Sequence, residues 1–139
     1  MNTNKITFFL IDDDVDDREL FALALQDMDA KPAFYEASMA CEALSILKNG
    51  EVMPDYIFLD LNMPKMNGRE CLKELKNTTM LAHIPVIIFS TSSDPRDIAE
   101  TKAMGAIEFI TKPSKTSELT AILNNLLNTI VTKRINQNS

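Results

Sequence analysis

The sequence predicts an α/β architecture: a five-stranded, doubly wound parallel sheet with helices on both faces. Three observations carry that expectation. Short apolar runs alternate with helical patterns from end to end, giving five strand–helix units in a row. The strand-like runs are largely apolar throughout instead of alternating, the pattern of strands buried on both sides. Several of them stop on a carboxylate, a hydroxyl or a lysine, where sheets of this class place their ligands.

The first strand is expected at 6–11 and runs into Asp12 and Asp13. Phe21, Ala24, Leu25 and Met28 recur at i, i+3, i+4, i+7 and mark the first helix. Asp14 is placed to cap it. Asp16, Asp17 and Glu19 suit the positive end of its dipole and read as solvated helix-start charge rather than ligands. A short strand at 33–37 and a helix at 39–48 follow, the helix stopping at Asn49-Gly50.

The third strand, 56–60, is apolar until it ends on Asp60, and a helix is expected over 68–76. The fourth strand, 85–90, begins on Pro85, where a missing N–H costs little, and ends on Ser90. Asp94-Pro95 places a cap and a proline at the start of the next helix, which ends at Gly105. That helix offers a core only Ile98, Ala99, Ala103 and Met104, so it is expected to be weakly held. The fifth strand, 106–111, leads to Lys112. The last helix, 115–131, carries Leu119, Ile122, Leu123, Leu126, Leu127 and Ile130 as a core stripe.

The 139 residues suit one domain, expected over 1–139 with a core at about 5–131 and a frayed tail at 132–139. A net charge of −6 argues against nucleic-acid and anionic-membrane binding, both of which need a basic surface. Cys41 and Cys71 show no CxxC spacing and are expected to be free thiols. The N-terminal apolar run is too short for a secretory signal or a membrane span, so a cytoplasmic location is expected. His83 reads as a surface histidine, and Met63 and Met66 as loop packing.

The strand ends gather Asp12, Asp13, Asp60, Ser90 and Lys112. Two carboxylates at ~4 Å repel by about 1 kcal/mol in water and about 4 kcal/mol at an effective dielectric near 20. A hard divalent cation offsets such repulsion, and so does a lysine. Carboxylate, dication, hydroxyl and lysine together make a kit for phosphoryl transfer, in which a carboxylate can itself be the nucleophile.

These residues match a family. The chain resembles the receiver domain of two-component response regulators, the stand-alone chemotaxis type in particular. The resemblance spans 6–131 and rests on Asp12-Asp13, FLDLNMPKMNG at 58–68, Ser90-Thr91 and Lys112-Pro113. The separations from Asp13 to Asp60, Ser90 and Lys112 are 47, 30 and 22 residues in turn. The resemblance implies the (βα)5 flavodoxin-like receiver fold. It makes Asp60 the phospho-acceptor and places Mg²⁺ on Asp13, on Asp12 through water, on Asp60 and on the backbone carbonyl of Asn62. Ser90 and Lys112 contact the phosphoryl group. Ser90 and Phe109 form the switch, and Asn62, Thr91 and Ser92 tune phosphoryl lifetime. The Lys112–Pro113 bond is expected to be cis.

The same resemblance implies a partner on each side: a sensor histidine kinase or histidine phosphotransfer protein that donates the phosphoryl group, and a downstream protein that reads the face of helix 4, strand 5 and helix 5. It implies no turnover on an external substrate, no nucleic acid or membrane, and a monomer or a phosphorylation-dependent dimer. Output is expected through protein contacts or phosphate passing. Ser90 stands where Thr is more usual, and Thr91 is larger than the common Ala or Gly. A phosphohydrolase of the haloacid-dehalogenase type would need an acid two residues beyond the nucleophile, and that position is Asn62. A receiver-like interaction module without phosphorylation is disfavoured because every site position is filled.

Overall fold

The computed structural model describes residues 5–63 and 66–138, with side chains described as far as Thr129. The elements run β1 (Thr7–Ile11), α1 (Val15–Gln26), β2 (Ala33–Ala37), α2 (Ala40–Lys48), β3 (Tyr56–Leu59), α3 (Gly68–Asn77), β4 (Val86–Ser90), α4 (Pro95–Ala103), β5 (Glu108–Thr111) and α5 (Thr116–Asn138). The five strands form one sheet in the order β2-β1-β3-β4-β5, every pair parallel. From β1 the chain steps outward to β2, then back past β1 to β3, so the order reverses between β1 and β3. Sheets of this class place ligands beyond the carboxyl ends of the strands at such a reversal.

Strand alternation divides the apolar side chains between two cores. On one face Phe9, Ile11, Ile57, Leu59, Val86 and Ile88 meet Leu44 and Leu47 of α2 and Cys71, Leu72 and Leu75 of α3. On the other, Phe8, Leu10, Phe58, Ile87 and Phe89 meet α1 and α5 through Phe21, Leu25, Leu119 and Leu123. Phe21 lies at the centre of this second core, with ring centroids 5.0 Å from Phe58 and 5.4 Å from Phe89. Thr120 of α5 donates its hydroxyl to the Ala24 carbonyl of α1 at 2.8 Å. Both cysteines are free, Cys71 buried and Cys41 exposed. Met63 and Met66 pack into the first core, and His83 is exposed. No helix among the described residues is long and apolar enough to cross a membrane.

Asp14 caps α1 as expected, its Oδ1 accepting from the N–H of Asp16 at 2.9 Å and of Asp17 at 3.2 Å. Asn67 and Glu70 form a reciprocal capping box at the start of α3. Gly68, the first residue of that helix, has no room for a side chain: an added Cβ would sit 2.2 Å from the Asp60 carbonyl oxygen.

Four expectations are corrected. Helix α5 runs past the expected end at 131 and continues to Asn138, nothing in its sequence stopping it. Strand β5 begins at Glu108, two residues later than expected, because Ala106 and Ile107 still belong to the turn out of α4, held by Ala106 N–H to Thr101 O at 3.0 Å. The Lys112–Pro113 bond is trans, the form favoured by about 0.5–1 kcal/mol before proline, and the lysine still reaches the carboxylates.

The fourth correction concerns α4, where Ile98, Ala99 and Ala103 are exposed rather than offered to a core. Thr101 is its one buried residue, Met104 at its C-terminal end packs against the first core as expected, and polar contacts hold the rest. Arg69 of α3 donates to Asp97 at 2.6 Å and to Glu100, while the Ser92 hydroxyl donates to Asp97 at 2.6 Å.

Candidate functional site

The backbone ladder carries each functional residue just past its strand. Asp12 N–H donates to Ala37 O at 3.1 Å, so β2 holds the residue after β1. Asp60 N–H donates to Ile11 O at 3.0 Å, so β1 holds the residue after β3. Lys112 N–H donates to Ser90 O at 2.7 Å, which seats the lysine beside the serine. Residues distant in sequence are thus set side by side by continuous sheet hydrogen bonding.

Asp12, Asp13 and Asp60 form one cluster, each offering a carboxylate oxygen within 4.8 Å of the others. Asp12 and Asp60 are buried and Asp13 is exposed, so the cluster opens outward through Asp13. Asp12 Oδ1 accepts from the Asp14 N–H at 3.0 Å. Its Oδ2 lies 2.9 Å from Lys112 Nζ, close enough for an ion pair, yet it is buried with no hydrogen-bond partner. Asp60 Oδ1 accepts from the Asn62 N–H at 3.3 Å, and Oδ2 lies 3.8 Å from Lys112 Nζ. Lys112 also donates to Asp17 Oδ2 at 2.7 Å, and its ammonium sits 5.4 Å from the centroid of Phe89.

Burial, followed by the charge of Asp12, pushes the Asp60 carboxyl up to about 7, against the opposing pull of Lys112. Asp12 is raised as well, chiefly by burial, with Lys112 opposing. Burial acts to lower Lys112, but its hydrogen bond to Asp17, its ion pair with Asp12 and the charge of Asp60 outweigh it, and the net shift is upward.

These shifts give a sign for stability. A carboxyl raised from 3.8 to about 7 on folding holds its proton more tightly in the native state. Its contribution is complete below the unfolded value near 4 and is lost as pH rises through about 7. In metal-free buffer, Asp60→Asn is therefore expected to be more stable than the parent chain at pH 8, on the order of 2 kcal/mol, with the gap closing by pH 4. Urea unfolding at the two pH values measures this, and an equal gap at both would contradict it.

Ser90 is fully buried, and its Oγ accepts from the Ser92 N–H at 3.1 Å, leaving its own O–H free to donate. Ser92 Oγ is engaged by Asp97 and by the Asp94 N–H, and Thr91 and Asn62 are exposed at the rim. Phe109 is half-buried. Ile88 pairs with Phe109 and Ser90 with Thr111, so Phe109 lies on the same sheet face as Ser90. It lines two hollows, one of about 470 Å³ against α5 and one of about 260 Å³ against α4.

All of Asp12, Asp13, Asp60, Ser90 and Lys112 thus meet at one end of the sheet. Pro64 and Lys65, inside the matching 58–68 stretch, lie outside the described residues. The role of Asp17 was not legible. Read as helix-start charge, it is also a partner of the lysine, and that partner lies 95 residues away with no local signal to announce it.

The model of the response regulator receiver domain matches residues 8–124 of this chain. The chain belongs to the response regulator receiver family. This receiver is 31% identical to the phosphorylated cyanobacterial phytochrome response regulator RcpA, with a TM-score of 0.78, 88% of this chain and 91% of that one being covered. To the Mn²⁺-bound form of response regulator Rcp1 it is 26% identical, with a TM-score of 0.75 over 87% of this chain and 91% of that one. A protein-glutamate methylesterase/protein-glutamine glutaminase of Methanococcoides burtonii is 35% identical over 123 residues, 81% of this chain. The receiver spans only 32% of that enzyme's length. As a member of this family the receiver is a phospho-acceptor signalling switch of the two-component type, and its fold is the flavodoxin-like one expected from the sequence.

Proposed function

We propose that this receiver accepts a phosphoryl group on Asp60 from a phosphohistidine, carried by a sensor histidine kinase or a histidine phosphotransfer protein. The observation that carries the reading is the placement of Asp60, a buried carboxylate 3.8 Å from Lys112, with the buried Ser90 ending the adjoining strand β4. An Asp60 Oδ attacks phosphorus, the P–N bond breaks, and the imidazole leaves as the acyl phosphate forms. The Lys112 ammonium neutralises phosphoryl charge, and Ser90 donates its hydroxyl to a phosphoryl oxygen.

The donor set suits a hard dication: oxygens only, carboxylates within 4.8 Å of one another, and one buried carboxylate oxygen with no hydrogen-bond partner. Asp13 would hold Mg²⁺ directly, Asp12 through water, with Asp60 and the Asn62 carbonyl completing the protein's share. When bound, the ion supplies charge neutralisation at the phosphoryl oxygens. That the similar response regulator Rcp1 has a Mn²⁺-bound form supports a divalent metal in this reading.

Output in this reading runs through α4, β5 and α5. The two hollows beside Phe109 and the exposed Ile98 and Ile107 support that face as the one a protein partner reads, with Ser90 and Phe109 as its switch. Asn62, Thr91 and Ser92 line the approach and set phosphoryl lifetime. The chain acts as one receiver unit in the cytoplasm, a monomer or a phosphorylation-dependent dimer, with no external substrate to turn over.

Acetyl phosphate with Mg²⁺ is expected to add one phosphoryl group, read by intact mass; an unlabelled chain would overturn the reading. Separately, Mg²⁺ at ten times its Kd is expected to stabilise the fold by about 1.4 kcal/mol, since it binds only the assembled cluster. A thermal scan reads the effect, and Asp13→Ala is expected to abolish it.

A further inference from the structure

Among the described residues, Lys112 holds the one ammonium paired with the acidic cluster, and it is not committed to Asp60. Its Nζ lies 2.7 Å from Asp17 Oδ2 and 2.9 Å from Asp12 Oδ2 but 3.8 Å from Asp60 Oδ2. That last distance is about 1 Å beyond a charge-assisted hydrogen bond. The lysine therefore leans away from the nucleophile and toward the start of α1.

The acids that hold it differ in kind. Asp12 is fully buried, whereas the Asp17 side chain is 31% exposed. Asp17 belongs to the first turn of α1, and its own N–H is fixed by Asp14 Oδ1 at 3.2 Å, so its place is set independently of the lysine. When it releases Lys112, water is at hand to solvate its carboxylate, and the helix N-terminus continues to favour the charge. Asp12 has neither recourse to water nor a spare donor on Oδ2.

We propose that Asp17 is a positioning residue that holds Lys112 in the unphosphorylated receiver and yields it to the incoming phosphoryl group, thereby opposing phosphoryl uptake. This rests on the reading of Asp60 as phospho-acceptor. The lysine has a choice between an exposed carboxylate and a phosphoryl dianion, and every increment by which Asp17 holds it is subtracted from the affinity for the phosphoryl group. An equilibrium between two partners of one cation follows, with Asp17 setting its resting position.

The experiment is a titration with beryllofluoride and Mg²⁺, a non-covalent mimic of the phosphoryl group, followed by thermal shift and isothermal calorimetry. Asp17→Asn is expected to bind it three- to tenfold more tightly than the parent chain, and Asp17→Glu to bind with parental affinity. The same pair of chains is then compared with Lys112→Ala added. There the gain from Asp17→Asn is expected to vanish, because the lysine that Asp17 restrained is gone.

Equal or weaker binding by Asp17→Asn would overturn the proposal, since Asp17 would then aid the lysine's approach or play no part. A gain that persists undiminished without the lysine would also overturn it, showing that Asp17 acts only through its own negative charge. Should the Lys112→Ala chains bind too weakly to titrate, initial rates of labelling by acetyl phosphate give the same comparison. Failure of the underlying reading is distinguishable: the parent chain itself would then bind no beryllofluoride and take no label.

Discussion

Asp60→Asn is expected to take up no phosphoryl group from acetyl phosphate and Mg²⁺ under conditions that label the parent chain. The substitution keeps the shape of the side chain and its place at the end of β3, held by Asp60 N–H to Ile11 O. What it removes is the charged oxygen able to attack phosphorus. The neighbouring acids do not replace it. Asp12 Oδ2 is buried against Lys112, and Asp13 is exposed and lies on the opening of the cluster. The predicted gain in stability at pH 8 makes the loss interpretable, since an unlabelled variant that is more stable than its parent has not failed to fold. Intact mass after incubation reads the outcome. Label on the variant would transfer the acceptor role to another carboxylate and undo the mechanism.

Gly68→Ala is expected to destabilise the fold by about 3 kcal/mol, the upper part of the range for overpacking, because the obstruction is backbone rather than a yielding side chain. The new Cβ would lie 2.2 Å from Asp60 O, 2.5 Å from Leu61 Cα and 2.9 Å from Asp60 C. None of these atoms rotates aside. Either α3 backs away and loses the bond from Gly68 N–H to Leu61 O at 2.9 Å, or the segment carrying Asp60 is displaced. Both outcomes lower the urea midpoint, and the second also slows labelling. A midpoint equal to that of the parent would show that α3 begins farther from Asp60 than it does here.

Much of this was legible in the sequence, for reasons that can be named. Strands β1, β3 and β4 are buried on both faces, so their side chains announce them without ambiguity, and the polar residues ending them mark the sheet edge. The caps were legible because they are local: Asp14 and Asp94 each sit within three residues of the N–H they accept from. Contacts made across the fold were not. Nothing near Asp17 points to Lys112, and nothing near Asp97 points to Arg69, 28 residues earlier. Of the apolar residues of α4 assigned to a core, Met104 packs against one, whereas Ile98, Ala99 and Ala103 are exposed and ion pairs to Arg69 attach that part of the helix. The roles proposed for Asp60 and Lys112 come from the family resemblance, which misled on the bond before Pro113, trans here.

In the proposed switch, the ionic mooring of α4 sets the scale of what a phosphoryl group has to accomplish. Partly exposed ion pairs contribute about 0–1 kcal/mol apiece, whereas extracting a helix with large buried apolar side chains forfeits about 1.5–3 kcal/mol for each of them. Inverting a population from 1:99 to 99:1 takes about 5.5 kcal/mol of differential binding. A handful of new phosphate contacts lies within reach of that figure only if the moving part was loosely berthed beforehand. Evolution of a new listener for this signal is then free to act on an outer surface without disturbing either hydrophobic layer beneath it.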